Sequence, residues 1–369
     1  MSANNIQLVW KKFHRIRSGF PQIFARLWTF APGMGSVIGS DLALAAALLR
    51  AGNAVAIPTE TVYGLAANVF DEAAVLKIFQ VKERPSFDPL IVHVGRKEDV
   101  HRLVRVLPPG AQELMDAFWP GPLTLVLPKR PEVPDLVTSG LDTVGVRMPA
   151  HPVALELLRS LHFPLAAPSA NPFGYISPTT AQHVADQLGD RIPYILDGGP
   201  CVVGVESTII GWEGPLTPHT SHLTLHTSSW VLYRPGGIPV EAIERVLGKR
   251  VFPTLSTGEG QGVRPPLAPG MLASHYAPRN PVHVGDVQEL RHRFKGERIG
   301  AITFRDKVEA HMNKVLSPSG DLSEAAQNLF AALRELDASN VSVIIAERFP
   351  DEGLGRAIND RLGRAAAQR

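Results

Sequence analysis

The chain has 369 residues, enough for two domains with hydrophobic cores of their own. Hydrophobic residues make up 44% and charged residues 20%, which excludes a disordered or fibrous chain, and a net charge of +2 without a basic stripe argues against a dedicated nucleic-acid binder. Its single cysteine, Cys201, excludes an internal disulfide and a thiolate metal cluster and suits a reducing, cytoplasmic setting.

The first 40 residues contain no Asp or Glu but carry Lys11, Lys12, Arg15, Arg17 and Arg26, as a transit peptide would. No long apolar run follows, which argues against a secretory signal or a membrane span. The plainer reading is favoured: residues 1–35 are an unstructured leader, or the start is assigned too early and Met34 is the better one.

From there, residues 41–50 read as a helix capped by Ser40, 54–57 as an apolar strand, and 71–81 as a helix with Ala74, Ile78 and Val81 on one stripe. Further strands are expected at 90–94, 123–127, 143–148, 164–168, 194–196, 205–211 and 230–233. Helices are expected at 111–119, 152–161 and 178–188, the last with Ser177 as N-cap and Pro178 at its first position. Residues 36–250 thus form one α/β domain. A Gly/Pro/Ser-rich linker follows at 251–281. A small Rossmann-like domain with βαβ order then fills 282–369, its helix at 322–336 striped by Leu322, Ala326, Leu329, Leu333 and Leu336.

Polar residues gather at the ends of the apolar strands, where ligands of open α/β sheets bind. Pro58-Thr59-Glu60-Thr61-Val62-Tyr63-Gly64 follows one strand, a Thr-rich turn being the plain alternative. Lys82 and Arg84 lie past a helix end, either as partners of its dipole or as a phosphate clamp. Along 143–148, Val144, Val146 and Met148 take one face, and Thr143, Gly145 and Arg147 take the other. A hydroxyl, a gap and a guanidinium together suit a carboxylate. Polar tips also follow at Ser169, Asn171, Glu206-Ser207-Thr208 and Arg234. No P-loop string occurs, and the glycine run 258–262 lacks the strand and helix of a dinucleotide site. His219, His222 and His226 alternate as in a strand, so a metal there is the lesser reading.

Together these segments resemble the YrdC-like threonylcarbamoyl-AMP synthases in their longer, two-domain form. The resemblance runs through PTETVYGL at 58–65, KERPSFDPLIVHV at 82–94, FWPGPLTLVL at 118–127 and VGVRMP at 144–149. It continues with APSAN at 167–171, SPTT at 177–180 and DGGPCVVGVESTII at 197–210, then PGMLASHYAP at 269–278 and NDRLGRAA at 359–366. It implies a twisted open-sheet domain, a linker and a small α/β domain. It also implies an enzyme joining L-threonine, bicarbonate and ATP into threonylcarbamoyl-adenylate, with release of pyrophosphate, for threonylcarbamoyladenosine in tRNA. By matching motif, Thr61, His93, Arg147, Ser169 and Ser207 would bind threonine. Lys82, Arg84, Asp88, Thr143, Asn171, Thr179 and Arg234 would bind ATP, Lys82 and Arg84 also serving catalysis, and Tyr276 would close over the nucleotide. Asp88 stands where the family often has Asn, and Phe173 replaces a small polar residue. Mg²⁺ is expected on the triphosphate, with few protein ligands and no dedicated metal site. Partners would be tRNA or the proteins that transfer the threonylcarbamoyl group, and no membrane. Two alternatives are a double-stranded-RNA-binding ribosome-maturation factor and a carbamoyl transferase with another acceptor. The second usually carries zinc-finger segments, and this chain has no Cys-x-x-Cys.

Overall fold

The computed structural model describes residues 36–213, 229–254, 267–272 and 274–367. The expected leader, the stretch with His219, His222 and His226, and the glycine run 258–262 lie outside the described residues.

The first unit carries β1 (Val37–Gly39), α1 (Leu42–Arg50), β2 (Val55–Ile57), β3 (Gly64–Asn68), α2 (Glu72–Lys82), β4 (Ile91–His93), α3 (Ala111–Phe118), β5 (Leu123–Pro128) and α4 (Asp135–Thr138). It continues with β6 (Thr143–Arg147), α5 (Pro152–Ser160), β7 (Leu165–Ala166), α6 (Ala181–Leu188), β8 (Tyr194–Leu196), β9 (Thr208–Glu213), β10 (Ser229–Arg234), α7 (Val240–Leu247) and β11 (Phe252–Pro253). Its strands form one sheet in the order β1-β8-β2-β3-β7-β4-β6-β5-β9-β10-β11. The sheet is mixed: β4 runs parallel to β6 but antiparallel to β7, and β5 runs antiparallel to β6 but parallel to β9.

Strand alternation sorts the two faces. Val92, Val144 and Val146 pack into the main core with Ile78 and Phe79 of α2 and Leu114 and Met115 of α3. Ile91, His93 and Arg147 therefore face the other way, His93 lying beside Arg147 in register. The expected β6 alternation holds, while the site does not sit along a shared carboxyl edge. In a mixed sheet no such edge exists, and the polar residues meet over a face.

Two expected caps differ. α1 is capped by Asp41, whose Oδ1 accepts from the Leu44 amide at 3.0 Å, rather than by Ser40; a carboxylate there also complements the helix dipole. α6 begins at Ala181 with Thr180 as its cap. Ser177 cannot serve, because its hydroxyl donates to Glu206 Oε1 at 2.6 Å.

The second unit is β12 (Val282–Gly285), α8 (Val287–Arg293), β13 (Ile299–Thr303), β14 (Met312–Val315), α9 (Leu322–Ala338), β15 (Val343–Glu347) and α10 (Gly355–Ala366). Its strands form an all-parallel sheet in the order β12-β15-β13-β14. Ala326, Leu329, Leu333 and Leu336 of α9 are fully buried against it, as the stripe predicts, although Leu322 stays half-buried.

The two units share a core. Val62, Ile176, Val205 and Tyr276 pack in one cluster with Leu329 and Phe330 of α9. Arg334 of α9 donates to the carbonyls of Ile176 and Ser177. Asp337 accepts from Tyr175 Oη at 2.5 Å and from the Arg279 and Asn280 amides where the linker ends. Among the described residues, no helix is long and apolar enough to cross a membrane.

Candidate active site

A pocket lies over the Ile91–His93–Arg147 face of the large sheet, and polar loops from both sides of the sheet wall it. The turn after β2 is built by its own side chains: Thr59 Oγ1 accepts from the amides of Thr61 and Val62 and donates to the Val62 carbonyl. Arg147 clamps this turn onto β6. Its Nη2 pairs with Glu60 Oε1 at 2.6 Å, Nη1 donates to Thr61 Oγ1 at 2.9 Å, and Nε donates to the Gly121 carbonyl at 3.3 Å. His93, fully buried beside it, is held to a pKa of about 3, first by burial and then by the Arg147 charge.

The opposite wall comes from the segment entering β9. Ser207 Oγ lies 2.8 Å from Thr124 Oγ1. Arg234, at the end of β10, donates to the Ser207 carbonyl through Nε and Nη2 and to the Pro269 carbonyl through Nη1. Arg84 lines the pocket from the loop after α2, with Nη2 on Asp88 Oδ2 at 2.8 Å and its guanidinium 5.8 Å from the Phe173 ring centre.

The linker forms the roof. Pro269, Gly270, His275 and Tyr276 all face the pocket. Tyr276 is buried with φ at +61°, a conformation in which a bulky residue stays only when its surroundings hold it there. Gly270 at φ +77° passes so close that a Cβ would lie 2.8 Å from Tyr276 Oη and 2.9 Å from Arg234 Nη1. Only glycine fits there.

Of the residues expected to bind, Thr61, Arg84, His93, Arg147, Ser169, Ser207, Arg234 and Tyr276 line this pocket. Lys82, Asp88, Asn171, Thr179 and Thr143 do not. Lys82 is the last residue of α2 rather than a residue beyond it, and its buried Nζ donates to the carbonyls of Ser169 and Asn171, each at 2.6 Å. Burial pulls its pKa well down, with Arg84 adding to the effect. It holds the 169–171 wall from behind. Asp88 is consumed by Arg84, Asn171 Nδ2 donates to the carbonyls of Pro172 and Tyr175, and Thr179 Oγ1 sits 3.3 Å from His183 Nδ1. Thr143 stands at the far end of β6 from Arg147, about 13 Å along the strand. Sequence reasoning gave Glu206 no role although it lines the pocket, and gave none to Arg361 of α10, which pairs with it. Position in NDRLGRAA was the only signal for Arg361.

Comparison with known proteins bears on both units. A family model described as "Telomere recombination" matches residues 47–219, and one described as "Threonylcarbamoyl-AMP synthase, C-terminal domain" matches residues 238–367. The threonylcarbamoyl-AMP synthase of Pyrococcus abyssi is 43% identical over 340 residues, covering 88% of this chain and 94% of the relative. The chain belongs to the threonylcarbamoyl-AMP synthase family. The Bacillus subtilis threonylcarbamoyl-AMP synthase is 42% identical over 89% of this chain and 94% of its own length. A crystal structure of P. abyssi Sua5 complexed with L-threonine superposes with a TM-score of 0.78 at 42% identity, covering 88% of this chain and 94% of that one. At 88% of this threonylcarbamoyl-AMP synthase family member, that likeness extends over both units.

The buried imidazoles give the fold an acid limit. His93, at about 3, and His183, at about 4, stay neutral in the folded chain after their unfolded counterparts have taken up protons near 6.5, and burial holds His275 low as well. The unfolded state therefore binds more protons between about pH 6.5 and 4, and stability falls as pH drops through that window. Urea unfolding from pH 7.5 to 4.5 should show this. His93→Gln should remove up to about 1.4 kcal/mol per pH unit of the slope; an unchanged slope would refute the assignment.

Proposed function

We propose that the chain condenses L-threonine, bicarbonate and ATP into L-threonylcarbamoyladenylate and pyrophosphate, for threonylcarbamoyladenosine formation next to the anticodon of tRNA. One observation carries the reading: Arg84, Arg147 and Arg234 converge with hydroxyls on one roofed pocket, in a chain 43% identical across both units to a threonylcarbamoyl-AMP synthase. Among the described residues the site offers no base-activated nucleophile for a covalent intermediate, and the chemistry does not need one. The threonine amine and bicarbonate form a carbamate with loss of water. A carbamate oxygen then attacks the α-phosphorus of ATP, the bond to the bridging oxygen breaks, and pyrophosphate leaves. The residues' work is to bring two anions together and stabilise charge as it shifts to the leaving group.

In this reading Arg147 binds the threonine carboxylate, with Thr61, His93, Ser169 and Ser207 shaping the rest of the threonine site. A neutral His93 can accept a hydrogen bond there without adding charge. Arg84 and Arg234 bind phosphates, Lys82 supports them by holding the 169–171 wall, and Tyr276 covers the nucleotide. Asp88 and Asn171 act through Arg84 and Lys82, and Thr143 and Thr179 would meet the nucleotide at its periphery. Magnesium ion would be carried on phosphate oxygens and water, since each carboxylate beside the pocket, Glu60, Asp88 and Glu206, is taken by an arginine. The proposal extends to tRNA or the proteins that transfer the threonylcarbamoyl group as partners, and to the cytoplasm as the place of work, where such a product is used.

Radiolabelled bicarbonate tests the reaction. Label should enter an adenylate only when threonine and ATP are both present, with pyrophosphate released in equal amount. Pyrophosphate release without threonine, or no labelled adenylate, would overturn it. Arg84→Ala should raise KM for ATP by about 10- to 100-fold, the loss of one or two charge-assisted contacts, with threonine affinity nearly intact. An unchanged KM for ATP would make Arg84 a structural partner of Asp88 only.

A further inference from the structure

Glu206 lines the pocket immediately before Ser207, and its carboxylate is buried and held from two sides. Ser177 Oγ donates to Oε1 at 2.6 Å, and Arg361 Nε donates to Oε2 at 2.7 Å. Arg361 comes from α10, the last helix of the second unit, and is fully buried. The same guanidinium lies 5.1 Å from the ring centre of Tyr276, the roof residue, while Asp360 takes its Nη1. One side chain of the second unit thus touches both a wall and the roof of a pocket built by the first.

What Arg361 fixes is passed on through short links. The Glu206 carbonyl accepts from the Gly237 amide at 3.0 Å, Ser207 bonds Thr124, and the carbonyl and hydroxyl oxygens of Ser207 both accept from Arg234 Nη2. The backbone is crowded as well: a Cβ on Gly236 would overlap the Glu206–Thr208 backbone. A shift of Glu206 therefore moves Ser207 and the arginine beside it.

We infer that Arg361 is a positioning residue for this pocket, holding Glu206 and Tyr276 so that Ser207 and Arg234 meet the substrate in register, and that the active site is incomplete without α10. Arg361 does not line the pocket, so its effect is indirect. Its guanidinium supplies both the charge that makes buried Glu206 stable and the flat face that packs on Tyr276. The inference rests on the proposed function for its kinetic readout, but nucleotide binding reports it separately.

The test compares Arg361→Lys, Arg361→Met, Glu206→Gln and the double variant Arg361→Met/Glu206→Gln in the full chain. Arg361→Met should lower kcat/KM by at least about 30-fold, mostly in kcat, and weaken ATP binding measured at equilibrium. Arg361→Lys should recover part of kcat, because it restores charge without the fork or the ring contact. The double variant should lose no more than Arg361→Met alone, since both act through one contact. If Arg361→Met does not fold, Arg361→Lys and the double variant, which leaves no unpaired charge, carry the test. Wild-type kcat, KM and ATP affinity in a folded variant with only a lowered melting temperature would overturn the inference, as would strictly additive losses. If the wild-type chain makes no adenylate, the proposed reaction falls. ATP affinity then decides alone: weakened binding in Arg361→Met supports positioning, and equal binding refutes it.

Discussion

Arg147→Ala is expected to lower kcat/KM for threonine by about two to three orders of magnitude, which is what removing one partner of a buried, hydrogen-bonded charge contact costs. Arg147 reaches Glu60, Thr61 and Gly121 at once, so the alanine variant releases the turn after β2 as well as a ligand contact. It also strands Glu60 as an unpaired buried carboxylate, at a cost of about 3–5 kcal/mol in stability. Two measurements separate these effects. Adding Glu60→Gln to Arg147→Ala should recover much of the stability but little threonine affinity. Arg147→Lys should keep the fold and still bind threonine poorly, because an ammonium cannot span three partners held by a planar fork. Normal threonine affinity by calorimetry in folded Arg147→Ala would remove Arg147 from the threonine site.

Gly204→Ala should part the two units. Gly204 sits at φ +76° in the loop leading to Glu206, and a Cβ there would overlap the Gln327 backbone of α9. A left-handed alanine costs about 1–2 kcal/mol, and overpacking at a rigid contact adds about 1–3 kcal/mol. Because α9 is a helix in a packed core, the strain is relieved most cheaply by undocking. Thermal unfolding should separate into two transitions, activity should fall with the lower one, and protease should cut near residues 274–281 under conditions where the wild type resists. One cooperative transition at the wild-type midpoint would mean that the loop absorbs the methyl.

Much of this arrangement was legible in the residues, for identifiable reasons. The β6 alternation was readable because period two is local, and it correctly separated Val144 and Val146 from Arg147. The α9 stripe was readable for the same reason at period 3.6. β3 was missed because Gly64-Leu-Ala-Ala-Asn has no β-branched residue; it is a strand because β2 and β7 pair with it from either side. The Ser177 cap failed because a partner 29 residues away claims the hydroxyl. Arg361 fell inside the NDRLGRAA motif, but its role could not be read for a stronger form of that reason: its partner Glu206 lies 155 residues earlier. Lys82 and Asp88 were placed at the nucleotide by their match to the family motif, and what the motif could not give is their burial, Lys82 against the Ser169 and Asn171 carbonyls and Asp88 against Arg84.

The core shared by the two units has a practical meaning for anyone cutting the chain. A fragment ending near residue 250 would turn Val62, Ile176 and Val205 from interior residues into a wet apolar patch, with Val203 beside them. Such patches drive association between copies. That fragment should therefore precipitate or oligomerise unless those three positions are made polar, and its behaviour would then report on solubility rather than on catalysis.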